Sequence, residues 1–184
     1  MNQQRVRTSV RKIASIGVML AGSAVCAFSG AAQADPSGAA FEQMVEQLRV
    51  HPDDKALRER IVKAAREKTP APLPPEDARR FYIRGNTALE DAQGQDGFLR
   101  AIRNYSEALK IAPWWGEAYR NLGKARALAK DYPGAIDALG LYLMTGPSPA
   151  DAREAQDRIY ALEEKQEAAQ ERREQEPEQK QVQP

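Results

Sequence analysis

The sequence contains very little of the chemistry that reactive sites require. It has one cysteine and one histidine among 184 residues, and aromatic residues make up 7% of it. The lone histidine, His51, has no second histidine or cysteine to join it in a zinc site, which needs several such ligands. No glycine-rich phosphate loop, nucleophile elbow or catalytic triad order is present. The sequence therefore favours a protein that is not an enzyme and uses no cofactor.

Long hydrophobic runs are also scarce, and the most marked one lies near the N-terminus. It covers residues 13–28, follows a basic segment, and precedes the small-x-small triplet at 32–34. This pattern is typical of a secretory signal peptide over residues 1–34, cleaved between Ala34 and Asp35. An uncleaved membrane anchor is the alternative, but the run of about 16 residues is short for a span of roughly 20.

The single cysteine, Cys26, lies inside this leader. A lipoprotein signal would have a small residue directly before the cysteine and leucine three positions before it, but Val25 and Ser23 stand there. Cys26 is therefore interpreted as an apolar residue of the signal core. The mature chain then has no cysteine, so neither a disulfide nor thiol chemistry is available to it. Its stability must come from helix packing.

The chain lacks an excess of positive charge as well. Without the four basic residues of the leader it has 23 basic and 26 acidic residues, a net charge of −3. This balance does not favour nucleic acid as a partner. We expect a periplasmic or secreted protein with no stable membrane span once the signal is removed, and the sequence leaves its oligomeric state open.

What the mature chain does contain is a series of amphipathic helices interrupted by proline and glycine. Apolar residues at helical spacing, such as Phe41, Val45 and Leu48, predict the first of them. Four prolines in residues 69–75 predict an extended connector. The predicted organisation is a helical pair over 35–69, a proline-rich connector over 70–75, a helical domain over 76–165, and a charged, disordered tail over 166–184. No segment alternates with period two, so no sheet is expected.

The stretch from 101 to 147 contains a repeat with a period of 34 residues. The residues that recur are Ala101 as Ala135, Leu109 as Leu143, and Pro113 as Pro147. A period of this length is typical of stacked helix–turn–helix units. Small residues at such positions let two helix backbones approach each other, and we expect Gly85 and Gly123 to have this role too.

These residues resemble the tetratricopeptide repeat family, whose units have an aromatic residue and then leucine–glycine in the first helix. Tyr119, Leu122 and Gly123 match that pattern in one unit, and Phe81 and Gly85 match part of it in the other. The resemblance implies an all-α fold. This would be a short α-solenoid with repeats at about 78–115 and 116–149, N-terminal helices, and a C-terminal capping helix over 149–165. The pair at 35–69 is then a candidate degenerate half-repeat, with two ordinary capping helices as the alternative.

The match is incomplete at three places. Arg84 stands where leucine is usual, Tyr142 stands where alanine is usual, and the first unit is about four residues longer than the second. The extra residues fit in the loop around Gly94. We expect these departures to leave the fold intact and to affect the shape of the surface near that loop.

In that family the first helices of successive units line a concave groove that holds a peptide. Carried onto this sequence, the lining is Arg79, Tyr82, Ile83, Asn86 and Leu89, then Glu117, Arg120, Asn121, Lys124 and Leu128, with Asp151 and Glu154 from the third helix. The polar, basic centre of this set can hold a carboxylate. However, Tyr82 stands where the family's carboxylate clamp has lysine, and Asp151 opposes an anion. General peptide binding and a merely solvated face are the alternatives.

Trp114 and Trp115 are adjacent and directly follow the proline that closes the first unit. They cannot both face one core, so we expect one to pack between the units and the other to be a surface anchor for a partner. Packing of both against the connector is the alternative. The expected function is a protein–protein interaction adaptor of the bacterial cell envelope that binds a peptide segment of another protein. The alternative function is a self-associating structural protein that uses the charged C-terminal helix.

Overall fold

The computed structural model describes residues 36–181, and it describes side chains over 38–174. Within this range the chain is all-α and contains no strand. Its helices are α1 Pro36–Val50, α2 Lys55–Glu67, α3 Glu76–Glu90, α4 Gln95–Ile111, α5 Gly116–Leu128, α6 Tyr132–Met144 and α7 Pro149–Gln181. None of these helices is long and apolar enough to cross a membrane. The predicted signal peptide, its cleavage site at Ala34–Asp35 and Cys26 lie outside the described residues.

Three helices begin at a side-chain cap. Asp54, Asp131 and Ser148 each accept a hydrogen bond from the backbone N–H of the third residue of α2, α6 and α7, at 2.9, 3.1 and 3.2 Å respectively. These bonds satisfy N–H groups that have no partner inside the helix. The Ser148 hydroxyl also donates to the Asp151 carboxylate at 2.6 Å. The start of each of these helices is therefore fixed by local sequence.

The C-terminal helix is longer than the sequence suggested. α7 continues to Gln181, whereas we expected a capping helix to about residue 165, followed by a tail that frays and is disordered by about residue 174. Ala155, Ile159 and Leu162 are buried in the core that α7 shares with α6. The described side chains after Leu162 are exposed or half-buried. The capping role therefore belongs to the first half of α7.

The central helices form two packed pairs. α3 packs against α4, α5 packs against α6, and α4 joins the two pairs by contacting α5. Gly85 lies against the ring of Tyr105, where an added Cβ would come within 2.6 Å of it, and Gly123 lies against Leu139 at 2.9 Å. The prediction that these glycines permit close approach is thus confirmed. Ala101 and Ala135 are fully buried in the same core.

The N-terminal pair docks on the second helix of each central pair. α1 contacts α4, and α2 contacts α6. Phe41 of α1 packs on Trp114 with ring centroids 5.2 Å apart, and Val62 of α2 belongs to the main core. Lys55 Nζ is 2.8 Å from the Asp137 carboxylate of α6. The two N-terminal helices are therefore part of the same packed body as the central pairs.

A lysine in left-handed conformation closes α5. Lys130 has φ 64°, and its N–H and that of Asp131 donate back to Ala127 O and Arg126 O at 3.1 and 2.9 Å. We expect Lys130→Gly to raise the free energy of unfolding by about 0.5–1 kcal/mol, because a left-handed L-residue is strained and glycine is not. Urea denaturation measures the change.

The reciprocal change provides the control for Lys130→Gly. Gly146 closes α6 with φ 77°, and a Cβ there would lie 2.8 Å from Arg66 Nε. Gly146→Ala should lower the free energy of unfolding by about 1 kcal/mol or more. A loss of stability in Lys130→Gly would contradict the assignment of strain to that residue.

Candidate functional site

All the predicted groove residues except Asp151 and Glu154 lie on two neighbouring helices. We call the surface that they form the α3–α5 face, since α3 and α5 contact each other directly. Its members are Arg79, Tyr82 and Asn86 on α3, and Glu117, Arg120, Asn121 and Lys124 on α5. The structure thus brings these sequence-predicted residues together from two helices.

A hydrogen-bonded network of amides and phenols crosses this face. Asn121 Nδ2 donates to Tyr82 Oη at 3.0 Å and to Asn86 Oδ1 at 3.1 Å. The buried Tyr105 of α4 donates its hydroxyl to the same Asn86 Oδ1 at 2.8 Å. Within the described part of the chain, these bonds leave Asn86 Nδ2 and Asn121 Oδ1 without a partner. The network therefore fixes both amides and leaves one donor and one acceptor for a ligand.

Burial keeps the phenol at the base of the network protonated. Desolvation, followed by the proximity of Tyr82, raises the pKa of Tyr105 to about 12. The hydroxyl is therefore a hydrogen-bond donor to Asn86 at any physiological pH. The sequence pattern alone places Tyr105 on the packed face of its helix. A fully buried tyrosine hydroxyl needs a polar partner, and that requirement is the signal that could have linked Tyr105 to an amide on α3.

The charged members of the face project into solvent. Arg79 lies 3.6 Å from Glu76 on its own helix, and the Arg120 guanidinium lies 6.0 Å from the centroid of the Tyr142 ring. Arg120 and Lys124 form no ion pair within the described residues, and both are exposed. They are therefore available to an anionic partner. Tyr142, the departure from the family pattern noted above, is buried and packs beside Arg120.

The remaining predicted lining residues differ in their availability. Ile83 and Leu128 are exposed apolar side chains, 57% and 45% accessible, and Leu89 is half-buried. Asp151 is bonded to the Ser148 hydroxyl, and Glu154 pairs with Arg158 at 2.6 Å. The two acids of α7 thus have local partners.

The two tryptophans have separate environments, and both are half-buried. Trp114 Nε1 donates to Pro72 O of the connector at 2.9 Å, and its ring packs on Phe41. Trp115 packs on Tyr82 with ring centroids 4.4 Å apart. Trp115 therefore borders the α3–α5 face, while Trp114 holds the connector and α1. Each has intramolecular partners, in contrast to the free surface anchor that we expected of one of them.

The described residues contain no group of three or more histidine, cysteine, aspartate or glutamate side chains arranged to hold a metal ion. His51 lies exposed in the turn after α1. No family model matches the chain, and the searches among curated proteins and among solved structures found no match either.

Proposed function

We propose that this chain is a short tetratricopeptide-like solenoid that acts as an adaptor and binds a peptide segment of another protein. Two observations support the architecture: the 34-residue sequence period, and two packed helical pairs whose first helices, α3 and α5, touch. In this proposal the α3–α5 face is the groove. The protein is not an enzyme, needs no cofactor, and has another protein rather than nucleic acid as its partner.

The observation that carries the proposal is the amide network on the α3–α5 face. Three hydrogen bonds hold Asn86 and Asn121 in place. Asn86 Nδ2 and Asn121 Oδ1 are still open to solvent. A fixed donor and acceptor match the C=O and N–H groups of an extended peptide backbone, and pre-organisation reduces the entropy lost on binding.

The charges beside the network indicate which peptide the groove prefers. Arg120 and Lys124 are exposed, lie on α5 together with Asn121, and are not neutralised by an ion pair within the described residues. Charge-assisted hydrogen bonds from these groups favour carboxylates. The preferred segment is therefore acidic. Asp151 of α7 accepts a hydrogen bond from the Ser148 hydroxyl but keeps its negative charge, which opposes this preference at that end of the face.

The proposed location is the periplasm or the extracellular space. It rests on the sequence pattern over residues 1–34, in which a basic segment, an apolar run and a small-x-small triplet follow one another. Envelope proteins are accordingly the class from which the partner should come.

Substitution of the two free cations tests the groove. In a crosslinking pull-down from the envelope fraction, Arg120→Ala with Lys124→Ala should reduce recovery of the partner at least about tenfold. The matched control is Arg60→Ala with Lys63→Ala, which removes two exposed cations from α2. Circular dichroism should show the same helix content in all three proteins. Unchanged recovery with the α5 double variant would show that the basic groove does not bind the partner.

A further inference from the structure

A second concave site lies away from the α3–α5 face. It is a cleft of about 660 Å³ lined by residues of α1, α2, α4, α5 and α6, a size typical of sites that hold small molecules. Its apolar lining includes Leu48, Leu109, Leu122, Ile136, Leu141 and Met144. The ion pair between Lys55 of α2 and Asp137 of α6 also lines it. The cleft thus combines apolar and charged residues.

One wall of the cleft contains a glycine that packing does not explain. Gly140 lies inside helix α6, where glycine is less stable than alanine, and a Cβ added to it would meet nothing within 4 Å. By contrast, a Cβ at Gly85 or Gly123 would come within 2.6 or 2.9 Å of a neighbouring side chain. Gly140 therefore keeps space open in the cleft rather than permitting contact between helices.

The lining from α2 offers a cation without a carboxylate partner. Arg58 of α2 is half-buried, lines the cleft, and donates to Pro52 O. It forms no ion pair with any residue in the described range, whereas Lys55, Lys110 and Arg126, which also line the cleft, each lie within 4.0 Å of an acid. A half-buried guanidinium is a strong donor to carboxylates.

We propose that this cleft binds a long-chain carboxylate, with its head group on Arg58 and its alkyl chain along the apolar lining beside Gly140. Two acids, Asp53 and Glu59, also line the cleft and are exposed. Because these acids repel further negative charge, the site favours a ligand with a single negative charge, placed on the Arg58 guanidinium. The apolar residues provide the larger part of the binding, since transfer of alkyl groups from water is favourable. This site is independent of the proposed groove.

Calorimetric titration of the purified protein with dodecanoate, below its micelle concentration, tests the proposal. We expect saturable binding at one site, and we expect butanoate, whose chain is too short to use the apolar lining, not to bind. Gly140→Leu should weaken dodecanoate binding at least about tenfold by filling the cleft. The same variant should be as stable to urea as the original protein or more so, because leucine favours helix. Loss of binding would then not result from unfolding.

The head group is tested separately. Arg58→Gln should weaken dodecanoate at least about tenfold and leave binding of 1-dodecanol unchanged, while Arg60→Gln, an exposed position on the same helix, should leave both unchanged. The Arg120→Ala, Lys124→Ala variant should bind dodecanoate normally, which separates this site from the groove. The proposal is overturned if the original protein shows no saturable binding, if Gly140→Leu binds as tightly, or if dodecanol binds as well as dodecanoate.

Discussion

Replacing Gly85 by alanine should destabilise the protein by about 1–3 kcal/mol, even though alanine is the better helix former. The new Cβ would lie 2.6 Å from the Tyr105 ring, which is fully buried and has no room to move away. The ring would have to shift together with its hydrogen bond to Asn86. Urea denaturation followed by circular dichroism measures the loss.

Gly140→Ala is the matched control, because it makes the same substitution inside another helix. Nothing lies within 4 Å of the added Cβ, so the gain in helix propensity should appear alone. We expect Gly140→Ala to stabilise the protein by about 0.5–1 kcal/mol. If Gly85→Ala and Gly140→Ala shift the urea midpoint in the same direction, the prediction that close packing at Gly85 destabilises Gly85→Ala is wrong.

The second large effect is a loss of stability in alkali. The pKa of Tyr105 is raised from 10.0 to about 12. The unfolded chain releases this proton near pH 10 and the folded chain only near pH 12, so stability from this group is complete below pH 10. The free energy of unfolding should fall by about 1.4 kcal/mol per pH unit between pH 10 and pH 12. Burial also raises the pKa of Tyr119, whose hydroxyl donates to Pro113 O at 2.8 Å, and this adds a loss of the same sign.

Urea denaturation at pH 9, 10 and 11 measures this dependence. Tyr105→Phe and Tyr119→Phe should each flatten it, although each should also lower stability at pH 7 by about 1 kcal/mol through a lost hydrogen bond. Tyr160, which is 60% exposed, provides the control: Tyr160→Phe should leave the pH dependence unchanged. An equally steep fall in Tyr105→Phe would mean that other groups cause the alkaline loss.

The helices themselves are largely determined by the local sequence. Caps at Asp54, Asp131 and Ser148, and the proline-rich connector, are set by residues beside the helices that they bound, whereas α7 ends at Gln181, well beyond the expected residue 165. The pairing of α3 with α4 follows from Gly85 and Ala101, since small residues mark where two helix backbones meet. The neighbouring positions of Asn86 and Asn121 were predicted through the family resemblance.

The partners of individual side chains required the tertiary structure. Trp114 and Trp115 are adjacent in sequence but contact different neighbours. Trp114 contacts the connector and Trp115 contacts Tyr82, an assignment that depends on the docking of α1.

Arg84 departs from the repeat pattern, and the structure explains it as an exposed cation over the Phe81 ring, 5.7 Å from its centroid. The sequence placed Asn86 and Asn121 in a polar centre, whereas their bonds to each other and to Tyr105 and Tyr82 occupy half of the hydrogen-bonding capacity of each amide.

The sequence by itself determined the helical class, the approximate positions of the helices apart from the end of α7, and the two pairs in the centre of the chain. These depend on period, propensity and small residues, which act over a few turns. Only the tertiary structure decided where α1 and α2 dock, and hence that a cleft exists beside Gly140 and Arg58. An amphipathic helix shows in its sequence that one face must be buried, but many surfaces can bury it. The choice of α4 and α6 depends on shape and contacts between residues as far apart as Lys55 and Asp137, which no local pattern records.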